Sequence, residues 1–433
     1  MKFPGKRKSK HYFPVSDGAR IPFDFQDEGN NSGISVVGID QLIVDIEIDV
    51  EESFLTKYNI LKGESQVLPT DLINEIYEEA NSNNQIRGEF AGGAIGNTLH
   101  NYSVLSDDRS IALGSICSNI RVGDYAFKYI CNTNSHVDFS YLKPCDGPMG
   151  RALCFITPDG ERSFAIGKGI MNELCEEFIP HKVVASSACL LVSSFLLRDY
   201  SSNIYKATMK AIEIANDNDV PVIMAMGTSI LVKEKRDEFL NLIKEKVNIV
   251  ALNNEEAREL VQEEDHLLAA EKILDLTDMV MLTRGDKGLY IGAYVCEDNK
   301  RSTKDRLHSK SIPEYNIYEY SRAQLKRFCK KPIKIYTHIN PYLGGPTKIA
   351  NTNGAGDAAL AALMHDIASN KYHKLMVPNS PKHEVNYLSY SSIHQICKYA
   401  NRVSYEILKV NSPRLSKGLP EKEDNLEEGY WTL

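Results

Sequence analysis

The 433-residue sequence has no apolar run approaching the roughly 20 residues that a bilayer-spanning helix needs. Residues 1–20 contain no apolar stretch of the kind that opens a secretory leader, so a soluble protein of the cytoplasm is expected. Its nine cysteines fall at irregular spacing, with no Cys-x-x-Cys pair and no Cys/His cluster at zinc-finger spacing. That pattern argues against a structural zinc module and for reduced thiols. The Gly-x-x-x-x-Gly-Lys-Ser/Thr pattern is absent, which excludes a P-loop, and no Gly-x-Gly-x-x-Gly follows the first strand, which argues against a dinucleotide-binding dehydrogenase. No repeat of fixed period occurs.

What is present is an ordinary globular composition, 42% apolar and 25% charged, long enough for one large α/β domain with appendages or for two ordinary domains. A formal net charge of −8 gives no reason to expect nucleic acid or an anionic membrane as a partner. The local exception is the cluster Lys2, Lys6, Arg7, Lys8 and Lys10, short and broken by apolar residues. It reads as a solvated basic arm or a small patch. Self-association is open.

Residues 1–33 mix turn formers with isolated aromatics and read as an arm laid over the fold. Order begins at Ile34-Ser35-Val36-Val37-Gly38-Ile39-Asp40, a buried-strand run ending in a carboxylate. The carboxyl ends of strands are where open α/β sheets gather ligands. Residues 44–50 alternate strictly and predict a half-exposed strand, and residues 71–80 have a helical period. Residues 151–157 and 162–166 flank Pro158-Asp159-Gly160-Glu161, a hairpin signal. Together with residues 42–50, the stretch 138–169 is expected to form a small β lid. From residue 188 to 283, apolar runs alternate with amphipathic stretches, which predicts a parallel sheet covered on both faces. Residues 300–331 read as an insertion, residues 388–408 as a long helix and residues 411–433 as a tail. The expectation is one α/β domain over 34–410, a doubly wound, mostly parallel sheet flanked by helices with the small lid.

Four polar sites follow predicted strands: Asp40, Asn253-Asn254-Glu255-Glu256, Thr283-Arg284-Gly285-Asp286-Lys287-Gly288, and Asn351-Thr352-Asn353-Gly354-Ala355-Gly356-Asp357. In the last, two glycines around an alanine uncover consecutive N–H groups where a loop becomes a helix, and an anion fits there. Asp357 stands at its edge, able to take a proton from an attacking hydroxyl; the plain alternative is a glycine-rich turn with an acidic first helical turn. Gly92 and Gly93 opening a helix, with Asn97 one turn in, let a ligand approach the backbone or serve helix packing. Asn253 and Glu256 share a helical face and suit a hydrated Mg²⁺, or form a capping box. Thr283, Gly285 and Gly288 offer a hydroxyl and approachable backbone for a polyphosphate, or a turn.

Taken together these motifs resemble the ribokinase/PfkB family of sugar and nucleoside kinases, over residues 34–410. Within that family, residues 1–14, 100–105, 399–405 and 413–420 are similar to the bacterial branch acting on inosine and guanosine. The resemblance implies ATP-dependent phosphorylation of a nucleoside 5′-hydroxyl. Asp357 would be the base, and Asn353, Gly354, Ala355 and Gly356 the anion hole. Asp40, Gly92, Gly93 and Asn97 would receive the nucleoside. Asn253, Thr283, Gly285 and Gly288 would receive the ATP chain, with Asn401 near the adenine and Glu256 on Mg²⁺ through water. It also implies a K⁺ beside the loop, which Asn351 puts in doubt, because the family has Asp there. An adenosine or sugar kinase, and a non-catalytic nucleoside-binding regulator, are the rival expectations.

Overall fold

The computed structural model describes residues 34–303 and 316–419. The expected basic arm at 1–33, residues 304–315 of the expected insertion and residues 420–433 of the tail lie outside them. Nine strands form the central sheet in the order Pro332–Ile339, Leu289–Cys296, Met279–Thr283, Ile249–Asn253, Val222–Ala225, Leu190–Ser193, Val36–Ile39, Ser110–Leu113, Val137–Asp138. All neighbouring pairs are parallel except the two that Leu289–Cys296 makes.

The unbroken apolar runs follow from burial on both faces. Successive strand side chains point to opposite sides, so Ile223, Ile249 and Met281 enter one core cluster and Val222, Val250 and Val280 the other. The first cluster is closed by helices Ala94–Ser106, Ala355–Met376 and Ile393–Leu408, and the second by Asn203–Asp217, Arg236–Lys246, Asn254–Val261 and His266–Leu274. Among the described residues no helix is long and apolar enough to cross a membrane.

A second sheet has five strands, in the order Ser65–Val67, Arg162–Gly167, Gly150–Ile156, Ile43–Asp49, Ile86–Ala91. It contains the anticipated hairpin, but also Ser65–Val67 and Ile86–Ala91, which are too short or too polar to stand out in the sequence. The first part of 138–169 goes elsewhere: Val137–Asp138 ends the central sheet and Lys143–Cys145 pairs with Ser115–Cys117. The strand expected to be half-exposed is instead covered on both faces. Val44, Ile46 and Ile48 pack against helices Glu52–Lys57 and Thr70–Ser82, while Asp45 and Glu47 face the main body, Glu47 being only 5% exposed.

Two other stretches differ from the sequence reading. The last helix begins at Ile393, capped by Ser392, whose Oγ accepts the Gln395 N–H at 3.3 Å. Residues 316–325 are no surface insertion: Asn316, Glu319, Ser321 and Ala323 are fully buried. Glu319 meets His394 at 3.0 Å and Arg322 donates to the Ser389 carbonyl at 2.9 Å.

Helix Ala355–Met376 passes through the first cluster with Ala358 to Ala368 buried without a break, as an all-round apolar pattern requires. Its alanines let the flanking helices approach closely. Replacing fully buried Ala361 with Leu is therefore expected to destabilise the fold by about 1–3 kcal/mol without unfolding it. Chemical denaturation measures this, and an unchanged midpoint would mean that the helix is not tightly packed.

Candidate active site

The loop that opens helix Ala355–Met376 is held in shape by its own residues. Asn351 Oδ1 accepts the Asn353 N–H at 2.9 Å, and Gly354 has φ +77°, a conformation that costs other residues strain. A Cβ on Gly354 would also come within 2.5 Å of Pro413 Cβ. The ladder of the helix is closed by the Ala358 N–H, which donates to the Gly354 carbonyl at 2.9 Å. The donors just ahead of it, at Gly356 and Asp357, have no carbonyl four residues back within the helix. Gly356 has nothing within 4 Å of where a Cβ would stand, so the approach to these donors is open. This is an anion-binding geometry.

Three carboxylates crowd beside it. Asp357 accepts a hydrogen bond from Asn97 Nδ2 at 3.2 Å. Asp40, at the end of Val36–Ile39, accepts from the Tyr129 hydroxyl at 3.3 Å. The glycines at the start of helix Ala94–Ser106 admit these groups: a Cβ on Gly93 or Gly96 would lie 2.8 or 2.7 Å from Asp40 Oδ2, and one on Gly92 would collide with the Asp45 carboxylate. Burial pushes Asp357 up to about 7, despite its hydrogen bond from Asn97, and the charges of Asp40 and Asp45 push the same way. Burial likewise raises Asp45 to about 7 and Asp40 to about 6. The counter-charge is Arg414, 6% exposed, which opposes the rise in all three. A carboxylate with its proton affinity raised to neutral pH, at the lip of an anion site, can act as a general base.

The other expected residues line the same sheet edge. Asn253 and Thr283 are register partners at the ends of adjacent strands. Asn253 and Glu256 form the capping box: Glu256 N–H donates to Asn253 Oδ1, and Glu256 accepts from both the backbone N–H and Nδ2 of Asn253, each at 2.9 Å. Burial, then Glu255 and Asp357, raise the Glu256 carboxyl to about 7. Thr283 Oγ1 donates to the Leu252 carbonyl at 3.4 Å. Gly285, at φ +55°, has open space above it, whereas Gly288, at φ +85°, packs on the Ile339 and Asn340 backbone. Asn401 donates to the Asn340 carbonyl at 2.5 Å, so Gly288 and Asn401 flank one turn of chain.

Several polar residues here escaped the sequence reading. Asp45 and Glu47 sit on the acidic side of an alternating strand. Arg162, from the second sheet, donates to Asn351 Oδ1 at 3.2 Å and lies 3.8 Å from Glu47, while its Nη1 is buried with no acceptor. Tyr129 comes from a segment with no motif, and Arg414 from the stretch 413–420, which stands out in the sequence by its resemblance but without a role in the site. The tail expected from residue 411 in fact begins inside the body, with Pro413, Arg414 and Leu415 buried.

A model of the pfkB family of carbohydrate kinases matches residues 68–308. The guanosine-inosine kinase of Escherichia coli strain K12 is 50% identical over 434 residues, covering all of both chains. The chain belongs to the pfkB family. The adenosine kinase of Sinorhizobium meliloti has the same fold, with a TM-score of 0.65 at 22% identity over 89% of this chain and 97% of that one. So does a probable sugar kinase of Rhizobium etli, with a TM-score of 0.66 at 20% identity over 89% of this chain and 96% of that one. For this pfkB kinase, the two neighbours bear out the doubly wound α/β architecture.

The charge cluster has a consequence for stability. Asp45 holds its proton more tightly folded than unfolded, so its contribution is full below its ordinary value of 3.8 and is lost as pH rises through about 7. Asp45→Asn, neutral throughout, should melt higher than the parent above pH 7 and lose that advantage below about pH 4. Melting curves across this range test it. A variant that melts lower at pH 8 would show Asp45 to be stabilising when charged.

Proposed function

We propose that the chain is an ATP-dependent nucleoside kinase that phosphorylates the 5′-hydroxyl of inosine and guanosine, giving IMP and GMP for purine salvage in the cytoplasm. The chemistry is supported by the Asp357 carboxylate at the lip of an open helix N-terminus. The acceptor class is supported by full-length identity of 50% with a guanosine-inosine kinase.

In this reading Asp357 takes the proton of the 5′-hydroxyl as that oxygen attacks the γ-phosphorus in line with the departing ADP oxygen. The loop of residues 353–356 receives the charge on the transferring group, chiefly through the Gly356 N–H, since the Asn353 N–H is held by Asn351 Oδ1 and the Ala355 N–H by the Thr352 carbonyl, and this is where electrostatic stabilisation acts most strongly. Arg162 adds its unpartnered Nη1 from the second sheet, which acts as a lid and keeps water from the phosphoryl group. Asp40, Gly92, Gly93 and Asn97 hold the ribose. Asn253, Thr283, Gly285 and Gly288 take the ATP chain, and Asn401 lies toward the adenine.

Mg²⁺ fits as an ion carried largely by phosphates and water. Among the described residues no group of three or more His, Cys, Asp or Glu could hold a metal. Glu256 accepts one N–H on each carboxylate oxygen, leaving lone pairs for a metal-bound water. When bound, the ion would neutralise polyphosphate charge.

Asp357→Asn is expected to lower turnover by about 10³-fold to 10⁴-fold, near the upper range for loss of a general base, while inosine affinity stays within about threefold. Steady-state kinetics with inosine and ATP test this, and near-normal turnover would remove Asp357 from the mechanism. A panel of inosine, guanosine, adenosine, ribose and fructose, run in potassium and in sodium salts, tests the acceptor and the ion. Preference for adenosine or a sugar would overturn the acceptor assignment, and ATP consumption indifferent to nucleoside would overturn the kinase.

A further inference from the structure

We propose that Arg414 is a positioning residue for phosphoryl transfer, and that the segment around it is a strap that fixes the anion loop and the acceptor helix relative to one another. The proposal rests on the kinase reading above.

The strap touches both halves of the site within five residues. The Asn411 carbonyl accepts from Asn351 Nδ2 at 2.9 Å, and Pro413 lies against Gly354, so this part of the strap backs the anion loop. Two residues on, Leu415 N–H donates to Asn101 Oδ1 at 2.8 Å, Asn101 Nδ2 donates to the Pro413 carbonyl at 3.2 Å, and the Leu415 carbonyl is 2.8 Å from His100 Nε2. These partners are all on helix Ala94–Ser106. Between them Arg414 points inward. Its Nε donates to Asn97 Oδ1 at 2.9 Å, Nη1 to Thr133 Oγ1 at 2.6 Å, and Nη2 to the Gly92 carbonyl at 3.3 Å and the Tyr129 hydroxyl at 3.2 Å.

The bond to Asn97 carries the mechanistic weight. An asparagine side chain can present either its oxygen or its nitrogen to a neighbour. With the oxygen held by Arg414, the nitrogen faces Asp357 and donates to it. Turned the other way, the amide oxygen would stand against the carboxylate and the arginine would lose an acceptor. Arg414 thus decides which face of Asn97 the base meets. It also brings a fixed positive charge to Asp40, Asp45 and Asp357. The remaining ionisable groups on its neighbours are the Tyr129 hydroxyl and His100, which burial first and then Arg414 push down to about 4, so the imidazole is neutral at working pH.

The test compares the full-length parent with Arg414→Gln and Arg414→Lys by kcat and KM for inosine and for ATP, across pH 5 to 9, with folding checked by circular dichroism and melting. Removing the charge should raise the proton affinity of Asp357, so the acid limb of kcat/KM for inosine in Arg414→Gln moves to higher pH by about one unit. Its kcat/KM at neutral pH should fall by about 10²-fold, the scale of a small misplacement at the reacting centre, with KM for ATP within about threefold. Arg414→Lys should keep the acid limb where the parent has it, yet lose at least about tenfold in kcat, because an ammonium cannot span Asn97, Thr133 and Gly92 together. A folded Arg414→Gln that is less stable but has an unmoved limb and parental kcat would overturn the proposal. If Arg414→Gln does not fold, Arg414→Lys decides: parental kcat overturns the proposal, and a reduced kcat with an unmoved limb supports it. Failure of the parent to phosphorylate inosine would instead defeat the reading on which the proposal rests.

Discussion

Charge held partly out of water governs this molecule. A parallel sheet sealed on both faces leaves its carboxyl edge as the natural place for a ligand, and there the chain gathers the buried Asp40 with the half-buried Asp45 and Asp357. Like charges held this way bind protons more tightly than they would in water. The arrangement persists because one guanidinium lies among them and because glycines at 92, 93 and 96 let the carboxylates reach the backbone. The raised proton affinity of this cluster is what suits an aspartate to take a proton at neutral pH.

Three separate parts of the chain keep that site in register. The second sheet contributes Arg162 and Glu47 to the Asn351 side of the anion loop. The loop itself is shaped by Asn351 and Gly354. Residues 411–415 tie the loop to helix Ala94–Ser106 from below. Asn351 acts through its amide, with the oxygen toward Asn353 and Arg162 and the nitrogen toward the Asn411 carbonyl.

The central strands and the Gly354 to Asp357 loop were legible in the sequence because their signals are local. An apolar run marks a strand buried on both faces, and a glycine-flanked helix start marks uncovered donors. The role of Arg414 was not legible: the stretch 413–420 stood out only by resemblance, and its partner Asn97 lies 317 residues away. Asp45 and Glu47 misled for a different reason: strict alternation reads as one wet face, and only the packed structure reveals a second buried face. Asn253 and Glu256 carried two readings, and the capping box is present; that same geometry leaves Glu256 oriented and buried. Residues 316–325 looked like an insertion because their polar side chains are satisfied by distant partners such as His394 and Ser389.

The most direct measurement of the account is the pH dependence of kcat/KM for inosine in the unmodified protein, which reports ionisations of the free enzyme. A base desolvated among other carboxylates predicts a rate that falls as pH drops below about 7. A profile flat down to pH 5 would place the essential carboxylate in its ordinary range and contradict the account.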